Sequence, residues 1–588
     1  MTATFSENAA KLLRLRYLRR DPNRTIVETP SELIRRVAGA VAAADALYGA
    51  SADAKRTAAN FARLMAQIDF LPNSPALMNA GTPLGQLHGC FVLPVEDSLE
   101  KIFDSVRAAA LIQQSGGGTG FSFSRLRPRG DVVLSTRRSS SGAVSFISIF
   151  DQATAVVTTG GLRRGANMGV LRVDHPDIDE FIHAKQDPRA LPTFNLSVGV
   201  PDSFMHAVAH RQSYPLVNPR TGAVVRSVDA RGLLDEIARC AWANGQPGLL
   251  FLDRINRDNP TPELGPLEAT NPCSEQPLLP YEACCLGSIN LAHMVRSGDG
   301  GPAVDWPRLR RAVRLGVHFL DNAVDVSRYP LGEIEEMCLT NRKIGLGVMG
   351  FADLLIRLRI PYASEEAVAT AKRVMHFIRR EAIAASEALA AVRGPFPEFR
   401  RSVFADHGAK PRRNATLTTV APTGSLSILA DCSSGIEPIY ALSYRRVLAE
   451  GETLEFLHHA VAELAQEFGV AVEEMLERLT TRSTALPDSI HTVLAASHQI
   501  APEWHLKVQA AFQDEVDAGI SKTVNLPPGA TVETVKETFL QAFALGLKGI
   551  TVFRDESRPG QPLHLASFCL ACDAPPSQPV DAGAPASR

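Results

Sequence analysis

From about residue 71 the chain runs in short apolar stretches that are broken by glycine and proline and alternate with helical patterns. Phe91-Val92-Leu93, Val132-Val133-Leu134, Met168 to Val173, Leu196 to Val200 and Gly248 to Leu252 are the clearest. Short apolar runs between turn formers read as strands, and strands interleaved with helices build an α/β fold. Of everything in the sequence, this alternation limits the fold most. A length of 588 residues suggests about four domains at roughly 150 residues each, yet one large α/β barrel can absorb several of those shares.

The two ends read differently. Leu12, Leu13, Leu15 and Leu18 lie on an arginine-rich helical segment, and a second helical run, Leu33 to Leu47, is rich in alanine and valine. The far end carries one CxxC, Cys569-Leu570-Ala571-Cys572, and closes on DAPPSQPVDAGAPASR, whose Pro/Ala/Ser content predicts disorder. The predicted organisation is a helical region over 1–70, an α/β catalytic domain over 71–560 and a flexible tail over 561–588. Two helices stand out within the α/β part. Asp97 and Glu100 read as a capping box ahead of Leu99, Ile102, Phe103 and Val106, and Phe146, Ile149, Phe150, Ala153, Val156 and Val157 repeat the spacing. Their apolar faces suit either the core or a subunit interface.

Lys+Arg (61) and Asp+Glu (63) nearly cancel, which argues against nucleic-acid or membrane-surface binding, since both need a basic excess. A local basic pocket for one phosphorylated metabolite stays open. No run approaches the ~18 apolar residues of a membrane span, and the N-terminus has no apolar signal core, so a cytoplasmic location is expected. In a reducing cytosol the nine cysteines stay as thiols, and a cluster of them points to catalysis or metal binding.

Zinc sites need paired ligand motifs, and the lone CxxC has no second pair at suitable spacing, so no metal site is predicted. A mobile, electron-carrying dithiol is the better reading of Cys569 and Cys572. Asn271-Pro272-Cys273-Ser274-Glu275 packs an amide, a thiol and a carboxylate onto one short loop, and Pro272 keeps a helix from running through it. The amide can hold a hydroxyl, the carboxylate can take a proton, and the thiol can act as nucleophile or radical carrier. A turn with a buried cysteine has the same appearance. Cys284 and Cys285 follow, with Cys90 far upstream, while Cys240, Cys338 and Cys432 read as small buried residues. Ser115-Gly116-Gly117-Gly118-Thr119-Gly120 fits no standard nucleotide loop. Pro422 to Ser427 reads as a strand passing into a helix with Pro422 near its first position, where free amides and hydroxyls suit an anion.

FLPNSPALMNAGTPLGQLHGCFVLPVEDSLEKIF, SGGGTGFSFSRLRPRGD, RRGANMGVLRVDHPDI, NPCSEQPLLPYEACCLGSINLA and APTGSLSILADCSSGIEPIYAL occur in this order. Together they strongly resemble ribonucleotide reductase, in its adenosylcobalamin-dependent (class II) branch, over about 70–560. The resemblance implies a ten-stranded α/β barrel with a central finger loop tipped by NPCSE. It implies that Cys273 becomes a thiyl radical, that Glu275 takes the proton of the 3′-hydroxyl and that Asn271 holds the ribose hydroxyls. Cys90 and Cys284 would be the reductants that end as a disulfide, with Cys285 as an alternative to Cys284. Pro422, Thr423, Gly424, Ser425, Leu426 and Ser427 would bind the substrate diphosphate, with Ser74, Gly117 and Gly118 also in the pocket. Asp97 and Arg127 match effector-binding positions, and Arg163 to Gly169 matches the loop between effector and substrate. The implied partners are a ribonucleoside diphosphate, dNTP or ATP effectors, thioredoxin or a similar dithiol, and a second copy in a homodimer.

Radical chemistry answers a real difficulty, because ionic loss of a 2′-hydroxyl leaves charge that nothing nearby stabilises. Three thiols and a base in one pocket meet that need, plus an external dithiol to reset the disulfide. The oxygen-dependent branch relays its radical through paired tyrosines, where this chain has Thr551, Val552 and Phe553. No glycyl-radical loop is seen, which leaves adenosylcobalamin, although no D-x-H-x-x-G signature is present. The segment before the barrel looks too short for an ATP-cone, so specificity control without overall dATP shutdown is expected. Ser274 stands where the family commonly has glycine. Competing readings are a class I large subunit that needs a radical-generating partner, and a degenerate nucleotide-binding regulator.

Overall fold

The computed structural model describes residues 5–49, 51–159, 163–187, 189–298, 300–448, 451–557 and 563–565. Ser6 caps α1 (Glu7–Leu12), which passes into a π-helical turn at Leu13–Tyr17. Thr29 and Glu32 form a reciprocal capping box at the start of α2 (Pro30–Ala42), and α3 (Ser51–Ala66) packs against it. Leu33, Val37, Val41, Phe61 and Leu64 share one buried cluster with Phe319 and Val348. The helical region is thus fused to the barrel by a common core.

Ten strands form one sheet. In chain order they are β1 (Phe70–Pro72), β2 (Cys90–Leu93), β3 (Gly118–Ser122), β4 (Asn167–Arg172), β5 (Phe194–Val200), β6 (Gly248–Phe251), β7 (Ala283–Asn290), β8 (Ile344–Met349), β9 (Thr523–Leu526) and β10 (Gly549–Arg554). β2 to β6 are mutually parallel. At both edges this set meets strands of the other direction, β7 on β2 and β10 on β6. β8 runs parallel to β7 and β9 parallel to β10. Bridges Leu346 to Thr418 and Val420 to Ile520 carry the circuit from β8 towards β9, so the sheet closes on itself. The apolar runs read from sequence fall on these strands, apart from Val132-Val133, which belongs to a separate two-stranded ribbon.

Two sequence expectations are corrected here. The helix after Asp97 is α4 (Leu99–Gln114), but its cap is Ser98, whose hydroxyl accepts from Lys101 N. Asp97 is instead turned to Arg127, and no capping box with Glu100 forms. The helix expected to start near Pro422 starts at Leu426, with Ser425 as its cap residue, because Thr423 takes a left-handed conformation that interrupts any earlier turn. The second helix, α5 (Ala143–Val156), packs on α4.

α6 (Trp306–Val326) and α7 (Glu365–Arg393) cover one side of the barrel. Between them and the N-terminal helices lies a buried ion network. Arg393 reaches Asp45 at 2.6 Å and Asp321 at 3.1 Å, and Arg342 reaches Asp321 at 2.8 Å and Asp325 at 2.7 Å.

Candidate active site

A short hairpin enters the barrel between β6 and β7. Its arms are Ala269–Thr270 and Pro277–Leu278, and its tip is Asn271 to Gln276. Asn271 organises the tip: its carbonyl accepts from Ser274 N at 3.1 Å, and its side-chain Oδ1 accepts from Gln276 N at 3.0 Å. Contacts from both halves of the barrel fix the tip in the lumen. Asn195 of β5 donates to Pro272 O at 2.9 Å, while Thr419 Oγ1 and Gly519 N each donate to Glu275 O at 2.9 Å. β3 makes room by lacking side chains. A Cβ on Gly120 would stand 1.7 Å from Thr270 O, and one on Gly118 would stand 2.9 Å from Pro272 Cγ.

The tip presents its groups in different ways. Cys273 is exposed, whereas Asn271 and Glu275 are buried. Ser274 between them has φ +68°, a left-handed conformation in which glycine carries no steric cost. Beneath lies the thiol of Cys90. It receives a hydrogen bond from Asn271 Nδ2 at 3.1 Å and stands 3.8 Å from Glu275 Oε1. Glu275 Oε2 has no hydrogen-bond partner. Burial pushes the Glu275 carboxyl up to about 7, against hydrogen bonds from Asn271 and Cys90 that favour its charged form. The Cys90 thiol is raised too, by burial first and then by Glu275.

β2 and β7 are antiparallel, and their register sets Cys90 directly opposite Cys284. Opposed residues of such a pair project to the same face with Cα atoms about 4.5–5.5 Å apart, inside the range of about 4.4–6.8 Å that a disulfide spans. Cys285 points to the other face. It lies in the core shared with the N-terminal helices, where its thiol meets Leu87 O at 3.5 Å. Cys284 and Cys90 share the inner cluster with Met168 and Leu250.

The loop Pro422 to Ser427 stands beside this group. Thr423 Oγ1 accepts from Gly435 N at 2.8 Å, and Ser427 Oγ meets Ser434 Oγ at 2.9 Å, so these hydroxyls shape the loop. Arg16 Nη1 donates to Ser425 Oγ at 2.9 Å, and Arg446 Nη1 donates to Gly424 O at 3.0 Å. Ser74, the first residue of a short helix, meets the Tyr17 hydroxyl at 2.9 Å. Gly117 is packed rather than open, since a Cβ there would stand 2.5 Å from Phe91.

A cavity of about 460 Å³ lies between β10, the end of the Pro422 to Ser427 loop and the Tyr440 to Arg446 segment. Its walls include Thr551, Val552 and Phe553 of β10, Tyr440, Tyr444 and Arg446, and Ser427 at the end of the Pro422 to Ser427 loop. Gln246 also lines it and donates to Asn195 Oδ1 at 3.0 Å, one hydrogen bond away from Pro272. Cys432, expected in the core, is half-buried on this wall, because it follows the short helix that ends at Ala430. Asp353 Oδ1, Ser433 Oγ and the Nε2 atoms of His458 and His459 are buried there without a hydrogen bond. The two imidazole nitrogens stand 3.4 and 3.6 Å from Asp353 Oδ1. His458 Nδ1 accepts from Ala460 N at 3.3 Å, which fixes that ring with Nε2 towards Asp353.

Two family descriptions match the chain in register with this architecture: the ribonucleotide reductase all-alpha domain over residues 3–85 and the ribonucleotide reductase barrel domain over residues 88–553. The chain belongs to the ribonucleotide reductase family. Among curated relatives, the vitamin B12-dependent ribonucleoside-diphosphate reductase of Mycobacterium tuberculosis is 49% identical over 565 residues, covering 95% of this chain and 79% of that one. The enzyme of the same name from Thermoplasma acidophilum is 43% identical over 615 residues, covering 95% and 80%. Among solved structures, the class Id ribonucleotide reductase alpha subunit of Actinobacillus ureae aligns with a TM-score of 0.76 at 23% identity, over 94% of this chain and 97% of that one, and shares the fold.

Other residues of the reductase singled out by sequence lie elsewhere. Arg127 Nε donates to Asp97 Oδ2 at 2.8 Å and Arg127 N donates to Asp97 Oδ1 at 3.1 Å, a partly exposed pair at the start of α4. In Arg163 to Gly169, β4 begins at Asn167, whose side chain joins Gln113, Thr119 and Thr154 in a buried hydrogen-bond cluster. Cys569 and Cys572 lie outside the described residues. Sequence reasoning missed Asn195, Gln246, Thr419, Gly519, Arg16 and Arg446. The signal available for Asn195 is a polar residue inside the apolar run Phe194 to Val200; the others carry none that spacing alone reveals.

Proposed function

We propose that the chain reduces ribonucleoside diphosphates to 2′-deoxyribonucleoside diphosphates by thiyl-radical chemistry with adenosylcobalamin, in the manner its vitamin B12-dependent relatives are named for. The observation that carries this is a thiol pair in disulfide register, Cys90 opposite Cys284, beside the buried carboxyl of Glu275 and under the exposed thiol of Cys273.

The cofactor fit rests on the cavity walled by β10 and Ser427. Its buried polar side chains, Ser433 and the Asp353, His458 and His459 group, suit a ligand whose rim carries amides, and Tyr440, Tyr444 and Phe553 offer apolar wall. Those residues would hold adenosylcobalamin, which when bound supplies a carbon-centred radical by homolysis of its cobalt–carbon bond. The β10 positions where the oxygen-dependent branch carries tyrosines are here part of this wall, which favours direct generation over relay from a partner subunit.

Each residue then has one task. Cys273, as thiyl, takes the 3′-hydrogen and later returns it. Glu275, as carboxylate, accepts the 3′-hydroxyl proton. One thiol of the Cys90/Cys284 pair protonates the departing 2′-hydroxyl, which leaves as water. The pair gives two electrons to the sugar and closes to a disulfide. Asn271 holds the ribose hydroxyls while its Nδ2 keeps Cys90 in place. Cys569 and Cys572, re-reduced by thioredoxin or a similar dithiol, would reopen the disulfide by exchange.

Control follows the same reading. Asp97 and Arg127 contribute to a dNTP or ATP effector site. α4 and α5 pair with a second copy, which would cover Leu99, Phe103 and Val156, exposed at 65%, 53% and 82%. No helix among the described residues is long and apolar enough to cross a membrane.

The test is direct. The purified chain is incubated with a ribonucleoside diphosphate, adenosylcobalamin, an effector nucleotide and a small dithiol. Deoxynucleotide without a second protein is the expected result. A requirement for a metal-bearing partner subunit overturns the cofactor assignment, and nucleotide binding without turnover supports the degenerate regulator instead.

A further inference from the structure

We propose that Arg16 and Arg446 form a two-guanidinium clamp on the terminal phosphate of the substrate, so that the N-terminal helical region supplies part of the substrate site. The inference rests on the diphosphate-reductase reading and specifies how that substrate is recognised.

The two side chains come from opposite directions onto consecutive loop residues. Arg16 lies in the π-helical turn Leu13–Tyr17 and reaches Ser425 Oγ at 2.9 Å. Arg446 lies on the strand Ser443–Val447 and reaches Gly424 O at 3.0 Å. A Cβ on Gly424 would stand 3.3 Å from Arg446 Nη2, so the glycine lets the guanidinium lie close to the backbone.

The loop needs cations from elsewhere. Pro422 to Ser427 contains no charged residue, and the hydroxyls of Thr423 and Ser427 are engaged with Gly435 N and Ser434. A nucleoside diphosphate brings multiple negative charges to this point. Among the described residues no carboxylate pairs with Arg446, although the residue is half-buried. Its neighbour Arg445 faces outward and is paired with Glu455 at 2.9 Å. Burial holds the Arg446 guanidinium below its usual range, and Arg16 adds to this by like-charge repulsion. The planar fork of arginine matches phosphate oxygens two at a time, so a phosphate seated at Gly424 and Ser425 would meet a guanidinium on each.

The turn that carries Arg16 has a geometric reason to exist. An α-helix turns successive side chains about 100° apart, and a π-turn changes that phase. Here consecutive residues serve two sides of one pocket: Arg16 meets Ser425, and Tyr17 meets Ser74 at 2.9 Å. α1 also packs directly on the short helix Leu426–Ala430 that follows the loop.

The test uses the full chain with Arg16→Met, Arg446→Met and the corresponding lysine variants. Dissociation constants are measured by calorimetry for a ribonucleoside diphosphate, for the matching nucleoside and for inorganic pyrophosphate as a competitor. Each Met variant is expected to weaken diphosphate and pyrophosphate by about ten-fold or more, as loss of a charge-assisted hydrogen bond implies. Nucleoside affinity should stay within about two-fold, the lysine variants should recover part of the loss, and KM should rise more than kcat falls. Unchanged diphosphate affinity in both Met variants overturns the clamp. Equal loss for nucleoside and diphosphate also overturns it, since that reports collapse of the loop. If the wild type makes no deoxynucleotide, the reaction assignment fails, while the contrast between nucleoside and pyrophosphate still decides the clamp.

Discussion

The carboxyl of Glu275 offers the sharpest quantitative test. Burial raises it from 4.5 to about 7, a shift worth about 3 kcal/mol of preference for the protonated form. In the proposed mechanism Glu275 must be ionised to accept the 3′-hydroxyl proton, so kcat/KM should follow its charged fraction. That fraction is about one tenth at pH 6, one half at pH 7 and nine tenths at pH 8, so the rate should climb about five-fold over the first interval and less than two-fold over the second. Stability runs the other way. The folded chain binds this proton more tightly than the unfolded one, so the contribution is complete below 4.5 and is lost as pH rises through about 7. The assay is kcat/KM for a ribonucleoside diphosphate from pH 5.5 to 8.5. It is paired with infrared difference spectra in which Glu275→Gln removes the titrating carboxyl band, because the substrate phosphate also titrates in this range. A carboxyl band that disappears below pH 5, with a flat rate above it, would refute the argument that burial controls this group.

Four further outcomes are expected. Gly120→Ala places a methyl 1.7 Å from Thr270 O, so the finger must retreat by about 1.5 Å, and turnover should fall about 100-fold while effector binding persists, checked by single-turnover kinetics and by nucleotide titration. Phe103→Asp with Val156→Asp should turn a dimer into a monomer by light scattering, and a monomeric wild type at micromolar concentration would count against the α4/α5 interface. Cys569→Ser with Cys572→Ser should stop thioredoxin-driven cycling but spare turnover with a small dithiol; equal rates with both reductants would remove the shuttle. Arg393→Met removes the cation that joins Asp45 to Asp321, although Asp45 keeps His318 and Asp321 keeps Arg342, and should cost about 2 kcal/mol in urea unfolding, with an unchanged midpoint arguing against the network as a clasp between helical region and barrel.

Much of this molecule is legible in its sequence because its signals are local. Apolar runs such as Phe91 to Leu93 and Leu196 to Val200 lie on barrel strands, and Asn271, Cys273 and Glu275 fall on one six-residue tip, since Pro272 and the tight Asn271 turn leave little conformational choice. Asp97 shows where local reasoning fails. Its spacing to Glu100 fits a capping box, yet Arg127, distant in sequence, competes for the carboxylate and Ser98 takes the cap. Thr423 likewise breaks the turn that Pro422 suggests. The partners of the finger, namely Asn195, Thr419 and Gly519, act through long-range hydrogen bonds that leave no pattern in a single sequence. Arg16 is similar: its meaning lies in Ser425, 409 residues away.

The finger also sets an order on synthesis. Thr419 and Gly519, which hold Glu275 O, are made long after the tip itself, and β6 gains its antiparallel neighbour only when Gly549 and Ile550 arrive. Until then the hairpin lacks β9 and β10 around it, and the cavity lacks the wall that β10 provides. A ribosome-bound or truncated chain therefore carries its thiols without the architecture that aims them. A radical catalyst that assembles its hazardous centre last is protected from its own unfinished copies, and chains released before Gly519 should fail to form a competent site even when their first eight barrel strands are intact.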